Sequence, residues 1–315
     1  MENVKNTKEL NPFFVTGFSD GEACFHLAIG KNSKYKNGYY VNPGFSIVLH
    51  KKDLELLIKI QSYFGGIGTV GLKKGKFAQF RVFSIKDLDV IIKHFDSYPM
   101  ITKKQIDYLL FKEALELIKN KGHLTNEGFS KIVSIRASMN KGLPETLKTA
   151  FSDITPYTIP LAVSLEIRDP NWVVGFTEAE GCFFVKIAYN KGERKPRVTL
   201  GIQITQHSRD TTLMNSLILF FNCGRVENHS GASAVNFVVV KLSNLTGNII
   251  PFFDNYPLIG SKAKDYEDFK AVAKLMIHKA HLTKEGVEEI VKIKSRMNLS
   301  RSPEEDQDQE ENQKK

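Results

Sequence analysis

A chain of 315 residues, 42% hydrophobic and 25% charged, is long enough for two domains of ordinary size or one large domain with internal symmetry. It has no apolar run near the roughly 18–20 residues that cross a bilayer. Its opening MENVKNTKEL lacks the apolar stretch of a secretory signal. Three cysteines, Cys24, Cys182 and Cys223, are too few and too scattered for a disulfide framework or a zinc knuckle, so a reducing compartment is expected. The net charge is +9, but residues 302–315 (SPEEDQDQEENQKK) hold six acids and two lysines, so the residues before them carry +13. That acidic tail reads as disordered. A body this basic favours a polyanionic partner, nucleic acid first and an anionic membrane surface second.

Asn11-Pro12 opens the first element: Asn as N-cap before Pro at the first helical position predicts a helix through FFVTGFSDGE. Gly17 and Gly21, four residues apart, share a face where another helix can approach closely. At Cys24 the period changes to two, and Phe25, Leu27 and Ile29 point one way. A strand over 42–49 buries Phe45, Ile47 and Leu49 in the same manner. Helical spacing follows at about 52–63 and 86–95, a strand lies near 78–83, and further helices cover about 102–120 and 125–138, the last with Thr125 as N-cap. LPETLKTAF (143–151) predicts a short helix; 152–168, with two prolines and no helical period, predicts a linker.

The chain then repeats itself. Residues 94–140 match 252–298, and PFFVTGFSDGEACFHLAI (12–29) matches PNWVVGFTEAEGCFFVKI (170–187), both at an offset of 158. GFSIVLHKKD (44–53) matches GIQITQHSRD (201–210) at 157, one residue out of register. Gly175 and Ala179 repeat the small pair, Phe183, Val185 and Ile187 the first strand, and Val198, Leu200, Ile202 and Ile204 the second. The expected division is a first unit over 1–142, a helix and linker over 143–168, a second unit over 169–301 and the tail over 302–315. The fold class is α+β: two pseudo-twofold-related α-β-β-α-β-β-α-α units, each a curved antiparallel sheet with helices on one face, as if a homodimer had been fused.

The uncovered sheet face carries His26, Asn42, Ser46, Gln79 and Arg81 in the first unit and Lys186, Arg197, Thr199, Gln203, Arg225 and Asn236 in the second. Hydrogen-bonding side chains on a broad antiparallel face suit base-edge and phosphate contact in a major groove. An ordinary solvated face is the alternative for any one of them. Glu22 and Glu180 end their helices, where the macrodipole disfavours a carboxylate unless a cation is near. The unpaired carbonyls of the last turn, such as those of Gly21 and Ala179, would complete a hard-oxygen site for Mg2+ or Ca2+. If the two helices pack through their small residues, both sites meet at the pseudo-twofold axis, an arrangement suited to hydrolysis of one phosphodiester on each strand.

VTGFSDGEA (15–23) and VVGFTEAEG (173–181) resemble the LAGLIDADG motif, and the chain is similar to single-chain, two-motif LAGLIDADG homing endonucleases of the intron-encoded organellar branch. The likeness runs from residue 11 to 299 and takes in the YP[ML]I and HLT…EG segments. It implies Glu22 and Glu180 as metal-ligating acids, with the carbonyls of Gly21 and Ala179 beside them, while Asp20 and Glu178 are not expected to be catalytic. It implies Lys104 and Lys262 around the reacting water and Gln206 as a peripheral polar group. The DNA-contacting set extends along the strands and their loops to Cys24, His26, Ala28, Gly30, Asn32, Lys34, Tyr40, Asn42, Ser46, Val48, Thr69, Lys73, Gln79 and Arg81. In the second unit it takes Cys182, Phe184, Lys186, Asn190, Lys191, Arg197, Thr199, Gln203, Thr205, Arg225, Glu227 and Asn236.

The resemblance implies a monomeric, site-specific double-strand DNA endonuclease with an asymmetric target and short 3′ overhangs. Mg2+ would support cleavage, Ca2+ would occupy the sites without supporting it, and the location would be organellar, mitochondrial in this branch. No membrane partner is expected. An RNA maturase acting on its own intron and a DNA-binding protein that no longer cuts are the alternatives; two intact acids favour the nuclease. Two departures fall on the first unit: Ala23 stands where the motif has Gly, and Leu49 stands opposite Gln206. The two strands are therefore expected to be cut at unequal rates.

Overall fold

The structure, a computed structural model, describes residues 9–73, 75–158, 166–189, 196–228 and 231–298. Asn190, Lys191 and the acidic tail lie outside the described residues. By contacts the chain divides into two compact units, Met1–Gly175 and Phe176–Lys315.

The first unit opens with α1 (Pro12–Glu22), whose N-cap Asn11 accepts from Phe13 N–H at 2.8 Å. It passes directly into β1 (Ala23–Lys31), and then come β2 (Tyr39–His50), α2 (Leu54–Tyr63), β3 (Thr69–Lys73), β4 (Phe77–Val82), α3 (Ile85–Ser97), α4 (Lys104–Lys119), α5 (Asn126–Ser138) and α6 (Glu145–Ala150). Thr125 caps α5 through a bond from Gly128 N–H. The strands form one antiparallel sheet in the order β1-β2-β4-β3. Alternation puts Phe25, Phe45 and Phe80 on the helix-covered face, all fully buried, and Phe25 packs its ring 5.3 Å from Phe111 of α4 and 5.7 Å from Phe95 of α3. Burying such rings is the main stabilisation of each unit. The unit has one helix more than the eight-element string allows, because the spacing at 86–95 forms α3 as an element of its own.

Residues after α5 belong physically to this unit. Leu147 of α6 buries itself against Phe129, Val133 and Leu143. Beyond it the chain is irregular but tied to α5 and α4: Ser138 Oγ donates to Tyr157 O at 2.7 Å, Tyr157 N–H to Ser134 O at 3.2 Å, and Tyr157 OH to Glu113 of α4 at 2.6 Å. The described part of the linker is therefore a strap rather than a free tether.

The second half repeats the order with α7 (Pro170–Glu180), β5 (Gly181–Ala188), β6 (Arg197–His207), α8 (Thr211–Phe221), β7 (Arg225–Asn228) and β8 (Ala234–Val239). The strand order is β5-β6-β8-β7. The counterpart of α3 is broken into α9 (Leu242–Asn244), a π-turn (Leu245–Ile249) and α10 (Ile250–Asn255), followed by α11 (Lys262–Ile277) and α12 (Lys284–Lys294). The π-turn accounts for the return of the repeat offset from 157 to 158. Ile85 corresponds to Leu242 and Ser97 to Asn255, so one extra residue lies inside this helix and is absorbed as a wider turn. The first turns of α7 count with the first unit, since Trp172 Nε1 donates to Asp20 at 2.8 Å and Gly175 lies against the α1 backbone at Phe14 and Phe18.

Candidate active site and nucleic-acid face

Glu22 is the last residue of α1 and Ala23 the first of β1, so no loop separates the carboxylate from the sheet. The join is ordinary extended backbone, with Ala23 at φ −77° and ψ 154° and its N–H donating to Ser19 O. Beyond Ser19 the last-turn carbonyls around Glu22 have no i+4 helical donor and present negative charge. Lys104, the first residue of α4, answers it: its Nζ donates to Gly21 O at 2.7 Å and Ser19 O at 3.0 Å. In the second unit Glu180 ends α7 and Lys262 opens α11, but Lys262 Nζ donates to Gly181 O at 2.6 Å. In the repeat Gly181 corresponds to Ala23, not to Gly21, so the two lysines reach carbonyls two residues apart.

Asp20 aims Lys104. Its buried carboxylate accepts from Ile101 N–H (3.1 Å), Thr102 N–H (3.3 Å), Thr102 Oγ1 (2.6 Å) and Trp172 Nε1 (2.8 Å). Thr102 Oγ1 in turn accepts from Lys104 N–H at 3.2 Å, so the start of α4 hangs from α1 through one acid. Burial pushes the Asp20 pKa up against the pull of those donors. Glu178, its counterpart, accepts from Ile259 N–H at 3.0 Å. Both acids are buried anchors.

The donors beside Glu22 are hard oxygens, a carboxylate and a carbonyl, and the carbonyl of Gly21 already takes a cationic ammonium. No group of three or more His, Cys, Asp or Glu gathers among the described residues. This set fits Mg2+ or Ca2+, which accept carboxylate, carbonyl and water oxygens, better than a closed zinc site of Cys and His.

Strand register puts the expected contact residues on one face. In the first unit Cys24 lies opposite Ser46, Ala28 opposite Asn42, Gly30 opposite Tyr40, Ser46 opposite Arg81, Val48 opposite Gln79 and Thr69 opposite Arg81, with His26 and Lys73 on the same side by alternation. Asn32 and Lys34 sit in the β1–β2 turn, where Asn32 Oδ1 accepts from Lys34 N–H at 3.0 Å. In the second unit Cys182 lies opposite Gln203, Phe184 opposite Gly201, Lys186 opposite Thr199, Thr205 and Glu227 opposite Asn236, and Arg225 opposite Val238, with Arg197 beside Ala188. Several of these groups bond one another: His26 to Ser46 at 2.5 Å, Thr205 to Asn236 at 2.8 Å, Arg225 to Glu227 at 3.0 Å. Asn42, Lys73, Arg81, Lys186, Arg197 and Arg225 are exposed, whereas Ser46 and Asn236 are buried. His26 is half-buried, and burial, with Lys73 and Arg136 nearby, lowers its pKa.

Two residues stand apart from this face set. Gln206 alternates with Ile204 on the helix-covered side of β6, and its Oε1 accepts from His207 N–H at 2.7 Å. Phe83, absent from the expected set, is exposed and lays its ring across Gly44, where any side chain would collide with it. Its position just past β4 hid it, although alternation with Arg81 would have pointed to it.

Each unit thus places one acid at a helix-to-strand join, at the head of an open polar sheet, and the chain carries this unit twice. The LAGLIDADG endonuclease profile matches residues 15–115 and 173–273. The chain belongs to that family. A Neurospora crassa protein named "Probable intron-encoded endonuclease 3" is 38% identical over 287 residues, covering 90% of this chain and 54% of its own length. The chain thus spans little more than half of that curated relative, and 65% of a second one at 39% identity. Among solved structures, I-SmaMI bound to uncleaved DNA target in the presence of calcium ions is 42% identical with a TM-score of 0.89, covering 92% of this chain and 99% of that one. The same endonuclease bound to cleaved DNA aligns with a TM-score of 0.90 at 42% identity, over 93% of this chain and 98% of that one.

Proposed function

We propose that the chain is a site-specific DNA endonuclease that hydrolyses one phosphodiester on each strand of a long, asymmetric duplex target. The observation that carries this reading is the duplicated join in which Glu22 and Glu180 end a buried helix and the next residue begins the open sheet. Reading and cutting are thereby coupled through a single peptide bond in each unit. The exposed cations and amides of the sheet face contact phosphates and base edges, and because the two faces differ in every cross-strand pair, they read different half-sites.

Glu22 and Glu180, with neighbouring backbone carbonyls, would hold Mg2+, which supplies water activation and charge neutralisation at the phosphate. Lys104 and Lys262 hold positive charge at the last turn of the helix and stabilise negative charge building on the phosphate. We assign Ca2+ the role of an ion that holds the bound state without cleavage, and short 3′ overhangs to the product. The relatives' names as intron-encoded proteins support expression from an organellar intron, with mitochondria the compartment we favour. Among the described residues no helix is long and apolar enough to cross a membrane.

The test is cleavage of a randomised duplex library in Mg2+ by the wild type, Glu22→Gln and Glu180→Gln. Each single variant should nick one strand only and lose at least about a hundredfold on the other. A wild type that binds duplex DNA yet cuts neither strand would sink the reading. Binding to structured intron RNA alone would replace it with the maturase role.

A further inference from the structure

We propose that Asn140 and Asn298 are positioning residues for the two carboxylate sites, acting with Asp107 and Asp265 as clamps on the strand that leaves each site. The proposal rests on the nuclease reading above for its consequence, though not for its geometry. Asn140 follows α5 in the left-handed region, at φ 52°, a conformation that asparagine tolerates better than most residues. Its backbone N–H donates to Asp107 Oδ1 at 2.8 Å, and its Nδ2 donates to Phe25 O at 2.9 Å. Cys24 Sγ lies 3.8 Å from its Oδ1 and donates to it. In the second unit Asn298, at φ 57°, repeats each contact: N–H to Asp265 Oδ1 at 3.0 Å, Nδ2 to Phe183 O at 3.0 Å, and Cys182 Sγ to Oδ1 at 3.7 Å.

Where the clamp acts gives it meaning. Asp107 stands one turn after Lys104 on α4, and Lys104 holds Ser19 O and Gly21 O. One helix therefore grips the chain on both sides of Glu22: directly before it, and through Asp107 and Asn140 three residues after it. In the second unit α11 also reaches the strand behind the acid through Asp265 and Asn298, but Lys262 holds Gly181 O, so both grips fall after Glu180. Asp107 and Asp265 are buried, so releasing either amide would leave a desolvated carboxylate short of a donor. β1 and β5 are edge strands, and the clamp adds a donor to a carbonyl of each. Edge protection alone would make Asn140 merely structural. A positioning role predicts something sharper, because a shift of about 1 Å in a reacting group slows chemistry by roughly a hundredfold.

Two measurements decide between them. Hydrogen exchange on the free, full-length protein should show faster exchange over residues 22–27 in Asn140→Gly and over 180–185 in Asn298→Gly, with α5 and α12 unchanged. Glycine keeps the positive φ and removes only the side chain. Single-turnover cleavage of an end-labelled target recovered from the library should then slow by tenfold or more on one strand in Asn140→Gly and on the other in Asn298→Gly. Each should also need several-fold more Mg2+ for half-maximal rate on its own strand, with affinity for DNA in Ca2+ unchanged. Asp107→Ala should behave like Asn140→Gly, while Asp107→Asn, which keeps the acceptor, should recover most of the rate. If Asn140→Gly fails to fold, Asn140→Asp, of the same shape but without the donor, gives the same readings. Unchanged exchange over 22–27, or equal slowing on both strands, overturns the proposal. If the wild type cuts no duplex, the nuclease reading fails and exchange alone still decides the clamp.

Discussion

At single residues the two repeats differ by a methyl group that has changed places. A Cβ on Gly181 would lie 2.5 Å from Thr177 O and 2.6 Å from Thr177 Cγ2. In the first unit the counterpart of Thr177 is Ser19, which lacks that methyl, and the counterpart of Gly181 is Ala23, which has one. Ala23 is buried with unstrained backbone. Beside this exchange the asymmetry near the acids lies in the carbonyls that Lys104 and Lys262 reach, Gly21 and Ser19 against Gly181. Gly181→Ala should lower stability by about 1–3 kcal/mol through overpacking, and adding Thr177→Ser, which removes the Cγ2 contact but not the one to Thr177 O, should restore part of it. Thermal unfolding of the single and double variants checks this; an unaltered melting temperature in the single variant would contradict the steric account.

Among the helices, α3 and its counterpart solve one packing problem in two ways. His94 on α3 is buried between Thr16 Oγ1, 3.1 Å from Nε2, and Tyr63 OH, 3.0 Å from Nδ1. Thr16 donates to Tyr98 O at 2.9 Å, so the network assigns Nε2 as the protonated ring nitrogen and Nδ1 as acceptor from Tyr63. In the repeat the corresponding residues are all apolar, Phe252, Val174 and Phe220, and the rings of Phe220 and Phe252 lie 5.4 Å apart. Burial lowers the His94 pKa from 6.5 to about 3. The unfolded chain takes up a proton below pH 6.5 that the folded protein refuses until about pH 3, so stability from this site is present above pH 6.5 and falls as pH drops through that window. The slope is about 1.4 kcal/mol per pH unit at full effect. Replacing Thr16, Tyr63 and His94 together by Val, Phe and Phe should flatten the acid limb. Urea unfolding at pH 7 and pH 4.5 measures it, and parallel losses in wild type and variant would refute the assignment.

For the molecule as a whole, the proposed nuclease function makes charge the control on encounter with DNA. The residues before the tail carry +13, while 302–315 carry six acids and two lysines. Binding that neutralises about 6–10 phosphates weakens by roughly 10³–10⁵ between 50 and 200 mM salt. Converting the six tail acids to amides should tighten binding to unrelated duplex at low salt and leave discrimination among sites unchanged, as fluorescence anisotropy against salt would reveal. A salt-independent affinity would argue against a phosphate-contacting face.

Much of this was legible in one dimension, because it is local or periodic. The duplication, the Asn-Pro helix start, the switch from period 3.6 to period 2 at Cys24 and the face shared by His26, Ser46 and Arg81 follow from backbone geometry, which repeats every few residues. Glu22 and Glu180 were legible for the same reason, as the acids at which that switch occurs. What could not be read are contacts whose partners are far apart along the chain. Asn140 reaches Phe25 across 115 residues, Lys104 reaches Gly21 across 83, and Asp20 reaches Trp172 across 152. The compensation between Ser19 and Ala23 was equally hidden, since it depends on the space one side chain leaves for another. Local periodicity sets which face a residue occupies; only tertiary packing decides what waits there to hold it, because hydrogen bonds and excluded volume act over a few ångströms of space whatever the distance along the chain.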